Sequence, residues 1–172
     1  NVLGSSISRL VDKVILQGSG PEICVISTKA AFAQMITLTI LALKLSLKKK
    51  KIKRREYDAS ITALRELPEV IQNILNERSG FIHRIANNYS KVKNWLYLGR
   101  GIYYPIALES ALKMKEVAYV HAEGMPGGFL KHGTLAMIDQ DVNSIVFIPP
   151  RSDKELYEST IHSVEEIRAR SG

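Results

Sequence analysis

Cysteine is almost missing from this chain: one of its 172 residues, Cys24, carries a thiol. A single cysteine closes no internal disulfide, which excludes a small stapled scaffold and points to a reducing compartment. The first residues also lack the basic, apolar and small-residue order of a secretory signal, so a soluble, cytoplasmic protein is expected. Aromatic residues are sparse at 7%, and they lie away from the one concentrated block of positive charge. Acidic residues are outnumbered 17 to 24, a net charge of +7, but the excess is local. The run KKKKIKRR, residues 48–55, holds seven basic residues, and removing them leaves 24 − 7 = 17 against 17. Nucleic-acid binders spread cations over a face and interleave groups that stack on bases. No nucleic-acid partner is therefore expected, and the run reads as a solvated, mobile connector.

What is present in quantity is apolar surface, 45% of the residues, enough for a buried core in a chain of this length. The longest apolar stretch, AAFAQMITLTILALKLSL at residues 30–47, ends in the positive run, a pattern that also marks membrane segments. It is shorter than the roughly 20 residues a spanning helix needs and contains Gln34, Thr37, Thr39 and Lys44. A buried helix is the favoured reading and no membrane partner is expected. Ser27 and Thr28, in GPEICVISTKA, stand where a side-chain oxygen would cap that helix.

Before it, KVILQG (residues 13–18) is a plausible short strand, with Gly18, Gly20 and Pro21 marking a turn. After the basic run, Asp58 predicts a helix start and Glu66 its end; Pro68 suits the first turn of a second helix to about Asn76. Leu64, Leu67, Ile71, Ile74 and Leu75 recur at helical spacing and predict a packing face. A further helix is expected from Gly80 to about Tyr89. The pattern then changes. NWLYLGRG reads as a strand entering a glycine turn, YYPIALESALKMKEVAYVHAE as a mostly buried helix, and NSIVFI (143–148) as a second strand. Ser152 and Glu155 form a candidate capping box opening a helix to about Arg170. Strands alternating with helices predict an α/β fold, a parallel sheet flanked by helices.

In such sheets ligands lie beyond the carboxyl ends of strands, which makes Gly99, Arg100 and Gly101 a candidate phosphate contact. Glu109, Lys113 and Glu116, spaced four and three apart, share one helical face. They are either ordinary surface ion pairs or, in a pocket, a carboxylate base beside an ammonium group. HAEGMPGGFLKHG, residues 121–133, reads as a mobile loop of small residues. Its HAE lacks the Pro-Cys-x-x-Cys partner of zinc deaminases, and His121, Glu123 and His132 match no zinc spacing, so no metal is expected. No GxSxG elbow of a serine hydrolase occurs.

The segment LGRGIYYPIALESALKMKEVAYVHAEGMPGGFLKHGTLAMID closely resembles the second sugar isomerase (SIS) domain of the glutamine-fructose-6-phosphate aminotransferase family. GSSISR followed by GPEICVISTKAAFAQ resembles the closing part of the first SIS domain, in the family's order and at about its separation. The resemblance implies parts of two consecutive SIS domains: residues 1–57 the later part of the first with the basic connector, 58–79 linking helices, and 80–172 the early part of the second. It implies conversion of fructose 6-phosphate and glutamine-derived ammonia to glucosamine 6-phosphate, with no metal or organic cofactor. Glu116 would be the base moving a proton between C1 and C2 of the open-chain sugar. Lys113, one turn earlier, would tune Glu116 and touch the substrate, and His132 would help open the sugar ring in the neighbouring subunit of a homodimer. Glu22, Val25 and Ser27 match positions at the sugar, Ser27 standing also as a helix cap.

Two departures stand out: Phe129 replaces an acidic residue usual before LKHG, and Thr134 a common proline after it. The family's serine- and threonine-rich phosphate loop, its Schiff-base lysine and its N-terminal glutaminase cysteine have no counterpart here, so an internal piece of a longer protein with a glutaminase domain is expected. A non-catalytic sugar-phosphate-binding SIS module, and an adaptor acting through residues 30–55, are the alternatives.

Overall fold

The computed structural model describes residues 4–170. The chain divides into two compact units that meet between Glu77 and Arg78.

The first unit is helical. A five-residue helix, α1 (Ser6–Leu10), is capped by Ser5, whose hydroxyl accepts from the Ser8 N–H at 3.4 Å. Residues 13–18 form no strand: every one of their backbone groups lies outside a ladder, and Val14, Ile15 and Leu16 are exposed. The β-favouring composition of KVILQG has no neighbouring strand to pair with, and an isolated strand leaves its backbone unsatisfied. Helix α2 (Thr28–Lys48) runs 21 residues, longer than its apolar core suggests, and is long and apolar enough to cross a membrane by length and composition. None of its residues is buried, contrary to the expected buried helix: its positions are half-buried at best, and Phe32, Met35, Leu38, Leu41 and Leu45 are exposed. The connector is neither long nor loose. It narrows to residues 49–53, where Lys50 adopts φ 53° and the N–H groups of Lys50 and Lys51 return to the carbonyls of Leu47 and Ser46 at 3.0 and 2.8 Å. This is a Schellman closure, which satisfies the last carbonyls of α2.

Three expected helices are one, α3 (Arg54–Asn88), with Pro68 inside it. Asp58 pairs with Arg54 at 2.9 Å instead of capping, and Glu56 reaches back to the Lys53 N–H at 2.6 Å. Pro68 and Gly80 do not break the helix. Leu64, Leu67, Pro68 and Ile71 line a groove with Phe32 and Ile36 of α2, and that packing face holds the helix through the proline.

The second unit holds the core. Strands β1 (Asn94–Gly99), β2 (His121–Pro126) and β3 (Val142–Val146) form a parallel sheet in the order β2-β1-β3. Trp95 faces Ala122 and Asn143 across the ladders, and Leu98 faces Met125 and Val146. Five of the six residues of central β1 are buried, and alternate side chains supply the two faces of the sheet. Trp95 and Tyr97 pack with Ala107, Ala111 and Ala122; Leu96 and Leu98 pack with Met125, Leu130, Ile138 and Ile167.

Helix α4 (Tyr103–Ala118) covers the first face and α5 (Lys154–Arg168) the second. In α4 only Ala107 and Ala111 are buried, so the helix is less enclosed than its composition suggests. It ends earlier than expected, at a left-handed Tyr119 (φ 54°), and the chain turns directly into β2. Residues 121–133 are therefore not a mobile loop. Six of them are strand, and Gly127–His132 continues as a 3-10 helix with Leu130 fully buried. A second 3-10 turn, Thr134–Met137, leads toward β3. At α5 the cap is Asp153, whose carboxylate accepts from the Leu156 N–H at 3.4 Å, rather than the Ser152–Glu155 box.

Candidate functional site

On α4, Ala107 and Ala111 turn inward, and 3.6-residue periodicity then carries positions 109, 113 and 116 to the opposite side of the helix. Lys113 Nζ lies 3.1 Å from Glu109 Oε1 and 3.1 Å from Glu116 Oε2. The lysine side chain is 18% exposed and that of Glu116 27%. Partial desolvation presses the Lys113 pKa down, but hydrogen bonds to Glu109 and Glu116 and their charges outweigh it and leave the pKa raised. The group is thus a cation through the neutral range, held between two carboxylates. Around this cluster the same helix exposes Ile106, Leu108, Leu112 and Val117. A carboxylate oriented by one ammonium in an apolar surround suits proton abstraction from carbon, since it is fixed in direction and open to a substrate.

Glu116 belongs to the last turn of α4, next to the amino end of β2, whereas His132 follows the carboxyl end of that strand. The six residues of β2 between them advance roughly 17 Å. His132 is exposed, and its ring meets Phe129 edge-on, centroids 5.9 Å apart and planes at 62°. In a 3-10 helix residues three apart eclipse one another, which is why these two rings meet. Phe129 thus occupies with an apolar ring the place beside His132. His121 and Glu123 are exposed on β2. Among the described residues no three histidine, cysteine or carboxylate groups cluster as metal ligands.

In the first unit, Glu22 and Val25 are exposed and Ser27 is half-buried at φ 50°. The expected cap of α2 is reassigned. Ser27 makes no side-chain cap bond and contributes its carbonyl to the Ala31 N–H at 2.9 Å, while Glu22 Oε2 accepts from the Ala30 N–H at 3.3 Å. A carboxylate suits that end, where the helix dipole is positive. Lys29 Nζ in turn donates to the Pro21 carbonyl, which folds GPEIC back over the helix start.

Arg100 does not stand open for a phosphate. Its guanidinium turns under the sheet end, where Nη2 donates to the Ser159 carbonyl and Ser163 Oγ at 3.4 and 3.3 Å. Leu98, Gly99, Gly127, Val146 and Thr160 close round it and leave no space for a water-sized molecule. This network spans 59 to 63 residues of chain, and no local spacing announces it.

A family model described as the SIS domain matches residues 88–171, from the end of α3 through β3 and α5. Residues 88–171 carry the SIS fold. The whole chain is 38% identical over 172 residues to the glutamine-fructose-6-phosphate aminotransferase of Caldanaerobacter subterraneus and 42% to that of Methanococcus maripaludis. It spans about 28% of the length of each. The C-terminal domain of glucosamine-fructose-6-phosphate aminotransferase from Francisella tularensis is 35% identical and superposes at a TM-score of 0.92, covering all of this chain and 48% of that one. The SIS sheet of this chain is accordingly the β2-β1-β3 sheet between α4 and α5.

Proposed function

We propose that the chain works as part of a glutamine-fructose-6-phosphate aminotransferase in the cytoplasm, carrying isomerase groups that turn fructose 6-phosphate and ammonia into glucosamine 6-phosphate. Residues 1–57 are the later part of a first SIS domain, 58–79 link, and 80–172 are the early part of a second. A glutaminase domain of the parent protein supplies the ammonia. Glu116 takes a proton from one of the two carbons C1 and C2 of the open-chain sugar and returns it to the other. Lys113 holds the Glu116 carboxylate in place and reaches the substrate. Glu22, Val25 and Ser27 contribute contacts to the sugar. No metal or organic cofactor enters the reaction.

The observation that carries this reading is the position of Glu116. It faces away from its own sheet, is tied to Lys113 at 3.1 Å, and is ringed by exposed apolar side chains that suit a covering partner. His132 supports the dimeric part of the reading: with a whole strand between them, Glu116 and His132 of one copy point to different ends of the sheet. His132 therefore serves the site of the second copy, where it assists ring opening. The helix α2 is part of the SIS assembly rather than a membrane anchor, since the Francisella domain covers all of this chain, α2 included.

The test is made in the complete polypeptide. Glu116→Gln keeps sugar-phosphate binding and abolishes isomerisation; near-normal turnover sinks the assignment, and binding without turnover in the unmodified protein favours a non-catalytic SIS module. Mixed dimers of Glu116→Gln and His132→Ala subunits regain activity, because one of their two sites then receives both intact groups.

A further inference from the structure

We infer that Arg100 is the positioning residue of the turn that carries His132; the inference rests on the proposed role of His132. In the order β2-β1-β3 the carboxyl end of β1 is the switch point of the sheet, where open α/β folds usually leave a ligand crevice. Here the crevice is filled by the Arg100 side chain. The guanidinium reaches α5 at Ser159 and Ser163, and Ser163 Oγ, whose one hydrogen is shared between the Ser159 carbonyl at 3.3 Å and the Gly127 carbonyl at 3.4 Å, connects it to the turn. Gly127 and Gly128 lie directly against the same guanidinium: a Cβ on Gly128 would stand 3.3 Å from Nη1, and one on Gly127 3.9 Å from Nε. The entrance to the 3-10 helix is thereby fixed to β1 and α5 together.

Two further anchors fix its far half. Leu130 is wholly enclosed by the core that contains Leu98, Met125, Ile138 and Ile167, and Lys131 pairs with Glu166 of α5 at 2.8 Å. With Leu130 pointing in, the three-residue period sends Phe129 and His132 to another side of the turn. The direction of His132 is thus set from the far half by Leu130 and Lys131 and at the entrance by Arg100, which ties the turn to β1 and α5. The fork of Arg100 matters as well as its charge, because one planar group meets Ser159, Ser163 and both glycines. Its Nε is buried without a partner, a cost that the fold retains at this point.

Arg100→Lys, which keeps the charge and loses the fork, and Ser163→Ala, which removes the relay to Gly127, test this in the complete polypeptide. Amide hydrogen exchange at Phe129–His132 rises in both while exchange along α4 is unchanged. Turnover falls by up to about 100-fold, the scale set by a displacement near 1 Å, with little change in KM. In a His132→Ala background neither substitution lowers turnover further. Unchanged exchange at Phe129–His132 overturns the latch, and a further fall in the His132→Ala background overturns positioning through His132. Full turnover of His132→Ala alone overturns the site reading instead, and the exchange measurement then still decides the latch.

Discussion

Gly124 fills the gap between β2 and α4, and its absent side chain is a condition of their contact. A Cβ there would stand 2.6 Å from the Leu108 Cα and 2.9 Å from the Ala107 carbonyl oxygen, so backbone must move. Gly124→Ala is expected to cost about 1–3 kcal/mol, read as a lower melting temperature, by pushing α4 off the sheet that orients Lys113 and Glu116. Lys113 gives a second residue-scale expectation. Its pKa is raised on folding, so the stability it contributes is fully present below the unfolded lysine value, about 10.4, and is lost as pH rises through the folded one. The protein should therefore lose stability above roughly pH 10.4 to a greater degree than Lys113→Met. Equal alkaline slopes in the two urea-unfolding series would contradict the pairing. Among candidate site residues, the Glu109–Lys113–Glu116 face was legible because a period of 3.6 maps spacing onto contact. Arg100 was legible as a loop residue but not as one whose guanidinium is tied down, since its partners lie on another helix.

At the scale of elements, β1, β3, α5 and the start of α4 are readable within a residue or two, whereas α4 stops five residues before the end its composition suggests. The apolar run WLYL ending in glycine marks β1, and the continuous apolar run IVFI before Pro149 marks β3. Strand β2 is the instructive failure. HAEGMP contains a glycine and a proline and buries only Ala122 and Met125, so nothing local favours extension. It is a strand because β1 offers a full ladder from Asn94 to Gly99, and tertiary pairing overrides propensity. Helix α3 errs in the opposite direction, continuing through Pro68 where local rules end a helix. Pro68 leaves the Leu64 carbonyl without its usual donor, so Pro68→Ala should stabilise α3 by up to about 3 kcal/mol, less the ring's contacts in the α2–α3 groove. A raised urea midpoint is the expected result; a lowered one would mean that the ring's packing outweighs the missing hydrogen bond.

On the scale of the molecule, burial is unevenly shared. Among the described residues every buried side chain lies in the second unit, while Ile7, Leu10, Ile15, Leu16, Ile23 and Val25 of the first are mostly exposed. Limited proteolysis should therefore cut between residues 4 and 28 well before it enters β1–α5, with a product beginning near Arg78 outlasting the rest. Simultaneous loss of both units would mean that they unfold as one. The same exposed surface predicts that the 172-residue chain self-associates as concentration rises, measurable by light scattering and reduced by a stabilising partner. The strand that separates Glu116 from His132 has a consequence of another kind, in heredity. Under the proposed division of labour, a gene copy spoiled at the end of α4 and another spoiled in the 3-10 turn fail by different routes. Neither sustains normal growth as a cell's only copy, a cell carrying both does, and two copies spoiled in the same element never rescue one another.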